Sequence, residues 1–173
     1  MNGNCHFVYG AAVGSMVALN LDTISTILPH ISNNTDTATL FILGGLIGGI
    51  FPDIDNPSSH MGKLSAPVST IIGSINKLFG KIGANHRGIL HDPIVYIIGI
   101  LLSYIFLPSL IGLFVGCLSH LFLDMFNPKG IPFFIFRKVS LGKFDSGKIG
   151  SIIFTWICVF ICLTIGIMLK YII

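Results

Sequence analysis

The sequence contains no glutamate: all seven acidic residues are aspartates. Exposed helices of soluble domains lean on Glu–Lys pairs one turn apart, and that device is missing here. Charge of either sign is scarce as well. Only 10% of the 173 residues are charged and 53% are hydrophobic, against roughly 25% charged in ordinary soluble domains, and mean hydropathy is +0.87. This composition excludes a soluble reading, and a formal net charge of only +3 gives no nucleic-acid footprint. The four cysteines, Cys5, Cys117, Cys158 and Cys162, show no CxxC spacing. Three lie inside apolar runs, where a thiol behaves as a small hydrophobe, so neither a zinc ribbon nor a disulfide framework is indicated. The first apolar run, Phe7 to Leu21, has no basic stretch ahead of it and no clean small-residue cleavage site, and it reads as a mature helix rather than a signal peptide.

What the chain does have is apolar length. Several runs approach or exceed the ~18 to 20 residues that cross a ~30 Å hydrocarbon core, where helices satisfy their own backbone groups. The expected fold is an all-α polytopic membrane helical bundle, with about five transmembrane helices plus one interfacial amphipathic helix, in a single integral-membrane domain over residues 1–173. Segment one runs from about His6 to Leu28, with Pro29 as its stop. Segment two, about Ala38 to Pro52, is short, and Gly44, Gly45, Gly48 and Gly49 permit close helix contact. After a polar turn from Asp53 to Gly62, apolar residues fall at helical period from Leu64 through Val68, Ile71, Ile75 and Phe79 to Ile82, with Lys63 just ahead of them and Lys77 and Lys81 between them. That pattern predicts an amphipathic helix on the membrane surface. Segments three (Pro93 to about Leu107), four (about Ser109 to Phe126) and five (about Ser151 to Ile172) complete the bundle. The basic, phenylalanine-rich stretch between the last two reads as an anchor to anionic membrane lipid.

Alternate crossings place the N-terminus, residues 53–92 and residues 127–149 on one side of the membrane. Nine of the ten Lys and Arg residues fall on that side, and only Lys170 falls on the other. The positive-inside rule makes the crowded side cytoplasmic, with the C-terminus opposite. Most of the histidines and aspartates follow the cations. His6 opens segment one, Asp53 and Asp55 close segment two, His86, Arg87 and His91 precede segment three, and His120 and Asp124 sit in the cytoplasmic half of segment four. Ionisable residues within a membrane helix cost roughly 2.5 to 3.5 kcal/mol near its centre, so their presence calls for a reason. His120 and Asp124, at i and i+4, share one helix face and can address one ion or each other. Imidazole and carboxylate together suit zinc, manganese or iron. Taken singly, each piece has a plainer reading: an interhelical hydrogen bond for His120 and Asp124, a solvated turn for Asp53 and Asp55, an interfacial loop for His86 and His91. Their coincidence on one side favours a shared metal site over those readings. His60 reads as solvated, and Asp22, His30 and Asp36 lie toward the opposite face.

Four stretches taken together, His6 at the head of the first helix, FPDIDNPSS from Phe51, NHRGILHDP from Asn85 and GCLSHLFLDMFNPKGIPFF from Gly116, resemble the YdjM-like family of membrane-bound metal-dependent hydrolases. Cys5 ahead of His6 is a departure from the polar residue more usual there. The resemblance implies a hydrolase dependent on metal. On that reading His6, Asp53, Asp55, His86, His91, His120 and Asp124 supply ligands to one or two divalent ions, and Asp53 or Asp55 serves as base. Arg87 offers paired donors to a phosphate or carboxylate oxygen. A bound divalent ion acidifies water toward neutral pH and so prepares attack on an ester or phosphoester, of a small molecule or of a lipid. Two rivals remain in view: a metal or proton transporter that uses the same groups as a pathway, and a structural protein whose polar groups fasten helices together. Oligomeric state is not legible in the sequence.

Overall fold

A computed structural model describes residues 3–78, 88–133, 137–142, 144–145 and 147–172. Its helices are α1 (Gly3–Leu19), α2 (Leu21–Ile27), α3 (Thr35–Gly48), α4 (His60–Leu64), α5 (Ala66–Leu78), α6 (Pro93–Phe106), α7 (Ile111–Met125) and α8 (Ile149–Ile172). Two three-residue strands, β1 (Ile131–Phe133) and β2 (Arg137–Val139), pair antiparallel with Ile131 opposite Val139. The architecture is an all-α membrane bundle. Among the described residues, three stretches, Thr35–Asp55, Pro108–Met125 and Ile149–Ile172, are long and apolar enough to cross a membrane, and the bent pair α1–α2 makes a fourth if it is one span. The third expected crossing, α6, has fourteen residues and reaches only about 21 Å at 1.5 Å per residue. It is the short member of the expected five.

Glycine sets the packing at the centre. Gly45 of α3 and Gly49 at its C-cap face α1, while Gly44 and Gly48 face α7. A Cβ on Gly45 would lie 2.5 Å from the Gly10 carbonyl oxygen, and one on Gly48 would lie 2.1 Å from that of Leu113. Backbone therefore touches backbone on both flanks of α3. In lipid, where apolar burial drives little association, such close approach supplies the packing attraction. α1 also packs on α8, and α6 on α7.

Segment one is not a single helix. Asn20 ends α1, its amide donating to the carbonyls of Met16 at 2.8 Å and of Gly166 on α8 at 3.0 Å. Such side-chain bonding competes with the helix ladder, and α2 leaves at a bend of 67°. Segment two begins at an Asn34 cap whose side chain accepts from Thr37 N at 2.8 Å. Beyond Gly49 it tightens into a 3-10 turn, Phe51–Asp55, with Pro52 in its first positions.

The expected amphipathic helix is present as α4 followed by α5. Ser69 is buried, while Leu64, Val68 and Ile71 are exposed, and both helices pack on the 3-10 turn. Phe79 and Ile82 lie outside the described residues, as do Lys81, His86 and Arg87. The stretch after α7 adds the small hairpin, which was not expected from the sequence. Gly130 enters it at φ +62°, a conformation that costs glycine little. Leu141 N and Phe144 N, beyond β2, donate to the Met125 and Phe126 carbonyls, and Ile131 is buried against Tyr96, Cys117 and Leu121.

Candidate metal centre

The glycine contacts bring three chain segments to one level. A Cβ on Gly49 would stand 2.4 Å from the His6 carbonyl oxygen, so α1 and the end of α3 meet at His6. The Gly49 carbonyl in turn accepts a hydrogen bond from His120 Nδ1 of α7 at 2.8 Å. A carbonyl only accepts, so Nδ1 carries the proton and Nε2 presents its lone pair. The fourth segment is the 3-10 turn Ile89–His91. Tyr96 OH donates to the Leu90 carbonyl at 2.5 Å, and Asp92, directly after His91, caps α6 by accepting from Ile94 N at 3.1 Å. The backbone on both sides of His91 is thereby tied down.

Around His120 the donors converge. His120 Nε2 lies 3.7 Å from Asp53 Oδ1 and 3.8 Å from Asp124 Oδ2. His6 Nε2 is 3.4 Å from Asp124 Oδ1, and His91 Nε2 is 3.7 Å from Asp53 Oδ1. The rings of His6 and His120 stack at 3.8 Å, and His91 stands edge-on to His120 at 5.4 Å. Two donor groups, His6 with His120 and Asp124, and Asp53 with His91 and His120, each gather ligand atoms within 4.8 Å of one another. His6, His91, His120 and Asp124 are at most 2% exposed, whereas the Asp53 side chain is 18% exposed. Solvent therefore meets the cluster at Asp53.

These separations fit an ion. They exceed the ~3.2 Å limit of an ordinary N–H···O bond and, at 3.4 to 3.8 Å, lie close to the spacing of about 3 to 3.6 Å that a divalent ion about 2.0 to 2.2 Å from each donor would set between neighbours. Among the described residues, His120 Nε2 and His6 Nδ1 are buried with no hydrogen-bond partner, a condition that costs about 1 to 3 kcal/mol per atom in a finished core. Outside the spanning helices, burial opposes the charged form of His91, but the Asp53 and Asp55 carboxylates outweigh it and hold its pKa up at about 9.

Five of the residues singled out in the sequence, His6, Asp53, His91, His120 and Asp124, meet here. Asp55 stands apart from both donor groups, its Oδ2 3.6 Å from Nδ1 of His91. His86 and Arg87 lie outside the described residues. Cys5 packs with Leu123, Tyr9, Phe154 and Cys158 in an apolar cluster. Sequence reasoning missed the Gly49 carbonyl and Tyr96. The doubled glycines of segment two were the available signal for the first, and none pointed to the second.

Fold and site together define an integral-membrane helical bundle that buries imidazoles and carboxylates at one end of its core. The family described as YdjM inner membrane protein matches this chain over residues 1–172, and the chain belongs to that family. No curated protein and no solved structure matches it.

Proposed function

We propose that the protein is a metal-dependent hydrolase of the inner membrane, acting on an ester or phosphoester, with a lipid or other amphiphile as the favoured substrate. The observation that carries this reading is His120. Its Nε2 is buried without a hydrogen bond, its tautomer is set by the Gly49 carbonyl, and carboxylate oxygens stand on two sides at 3.7 and 3.8 Å. His6, Asp53, His91, His120 and Asp124 would hold a zinc, manganese or iron ion. Such an ion supplies Lewis acidity and a water acidified toward neutral pH. Asp53, the most accessible of the five at 18% exposure, is the candidate to face substrate and to receive a proton. The orientation follows from the cations: Lys63, Lys129, Lys138 and Lys148 are exposed on the side that charge asymmetry makes cytoplasmic, where anionic lipid also gathers.

Purified protein is expected to retain a divalent metal by elemental analysis, and His120→Ala and Asp124→Ala to lose it. Wild type is expected to cleave members of a phospholipid and phosphoester panel. Unchanged metal content in both variants removes the proposed site. Metal retained by wild type without turnover, but with uptake into proteoliposomes, replaces the hydrolase reading with transport.

A further inference from the structure

The end of α4 and the start of α5 are built inside out. From Lys63 to Ile72, only Ser65, Ser69 and Ile72 are withdrawn from the surface, and their spacing, i, i+4 and i+7, puts them on one helix face. Ser69 is fully buried at the middle of that face, while apolar Leu64, Val68 and Ile71 point outward and are exposed. The inward face is the one that α5 turns to the 3-10 turn Phe51–Asp55, on which it packs. Among the described residues, α5 contributes nothing to the apolar clusters of the bundle. A helix on a water-soluble domain has the opposite arrangement.

Ser69 also departs from the habit of its neighbours. Ser65 Oγ donates to the Met61 carbonyl at 2.7 Å, Thr70 Oγ1 to that of Ala66 at 2.8 Å and Ser74 Oγ to that of Thr70 at 2.8 Å, the usual outlet for a hydroxyl on a helix. The same outlet is open to Ser69 at the Ser65 carbonyl, which already accepts from Ser69 N at 2.9 Å. Its hydroxyl does not take it. Among the described residues, Ser69 Oγ is buried with no hydrogen-bond partner, in the seam between α5 and the turn that carries Asp53. Such an orphan is costly in a finished core, and alanine would avoid the cost.

We infer that Ser69 is a substrate-binding residue, whose hydroxyl donates to a phosphate oxygen of an anionic lipid that enters between α5 and the Asp53 turn. This rests on the metal-dependent hydrolase reading above and narrows its substrate to a phosphoester. A carboxyl ester brings one carbonyl oxygen to the reacting centre. A phosphoester brings several charged oxygens, and those that the centre does not hold need donors of their own. The lipid route follows from the outward face: Leu64, Val68 and Ile71 suit acyl chains, and Lys63, exposed beside Leu64, complements an anionic headgroup. The seam is closed in the ligand-free protein. Because α5 is absent from the apolar clusters, parting it from the turn gives up little apolar burial, as expected of a segment that opens locally.

The test uses the full chain in phosphatidylcholine nanodiscs. Metal content is read after loading with Mn(II), thermal unfolding is read on the stripped protein, and binding of inorganic phosphate is read by titration of the loaded one. Wild type is expected to bind phosphate, and phosphatidic acid added to the nanodisc is expected to compete for it. Ser69→Ala should keep its Mn(II), unfold at the wild-type temperature or above, and bind inorganic phosphate at least about 10-fold more weakly, the loss expected for one hydrogen bond to a charged group. Ser69→Cys, which keeps the shape with a poor donor, should follow it, and decides if the alanine variant unfolds early. A lowered unfolding temperature with phosphate affinity intact makes Ser69 a structural hydroxyl and overturns the inference, as does a variant that matches wild type in every measure. Loss of Mn(II) together with phosphate moves the role of Ser69 to the donor cluster and overturns it equally. No competition from phosphatidic acid overturns the lipid route and leaves the hydroxyl to a soluble phosphoester. A wild-type chain that holds Mn(II) but binds no phosphate ends the inference and leaves the metal centre standing, whereas one that takes up no metal of any kind ends the reading beneath it as well.

Discussion

At one end of the bundle, Leu21, Ile31, Phe41 and Ile111 close an apolar core, with Val17, Ala38 and Val115 packed against it. At the other end, the same helices α1, α3 and α7 enclose His6, the Gly49 carbonyl, His120 and Asp124. Ionisable residues are present at both ends, and their placement differs. Asp22, His30 and Asp36, at the apolar end, are exposed: Asp22 bonds to Asn33 and His30 meets the edge of Tyr104. At the polar end, imidazoles and carboxylates are withdrawn from water, which is costly unless they are paired or hold a cation. An apolar core would have closed that end as it closed the first. Burial of four donor side chains, those of His6, His91, His120 and Asp124, where an apolar alternative was open marks the site, more than their residue types do.

The largest expected effect breaks the polar end alone. His120→Ala should reduce bound metal to background, while Asp22→Asn and His30→Ala leave it unchanged; elemental analysis of the three proteins side by side checks this. Equal loss in all three would mean that the two ends do not differ in function. The next effect falls on both ends at once. Gly48→Val places a Cβ where the Leu113 carbonyl oxygen stands at 2.1 Å, forcing α3 and α7 apart. Overpacking of this kind costs about 1 to 3 kcal/mol or more, and thermal unfolding in detergent should show it as a lowered melting temperature together with lost metal. Gly150→Ala, whose Cβ would meet only Phe144 at 3.6 Å, is the matched control with no expected change.

The sequence made the bundle legible because its spans are written in composition, and the polar end was legible because four motifs led to one membrane level. His120 and Asp124 were readable from an i, i+4 spacing within an apolar run. The different placement of Asp53 and Asp55 was not readable, since two residues apart on a 3-10 turn they differ in which side of His91 they reach. The break at Asn20 was hidden because asparagine is tolerated in helices until its amide finds a carbonyl on another one, here that of Gly166, 146 positions away. The hairpin after α7 was hidden by its three-residue strands, too short to establish a period. Tyr96 read as one more aromatic residue in an apolar helix, and only its bond to the Leu90 carbonyl gives it a role at the site.

A smaller effect sharpens the electrostatics of the polar end. His91, held at a pKa of about 9 by its two carboxylates against the opposing effect of burial, carries a proton at neutral pH that any ion has to displace. Metal affinity is therefore expected to rise about tenfold per pH unit between pH ~6 and ~8 and to level off above the pKa of His91. Competition titrations against a chelator of known affinity read the slope. A flat profile across that range would show that no proton leaves and that His91 is not a ligand.

The smallest effect concerns the turn that carries Asp53. Ser59 caps α4, its hydroxyl donating to the Asp53 carbonyl at 2.7 Å while accepting from Gly62 N at 2.8 Å. It thus fastens the exposed edge of the cluster to the helix that follows. Loss of such a cap costs about 1 kcal/mol, which sets a ceiling of about fivefold on what Ser59→Ala takes from metal affinity if the whole cost is felt at Asp53. Phe41 lies about 15 Å up α3 from that turn, so the mobility of a spin label at Phe41→Cys should not change, whereas one at Ile54→Cys should become more mobile. Equal loosening at both labels would show that the two ends melt together, and the contrast between them would then be one of chemistry without mechanical independence.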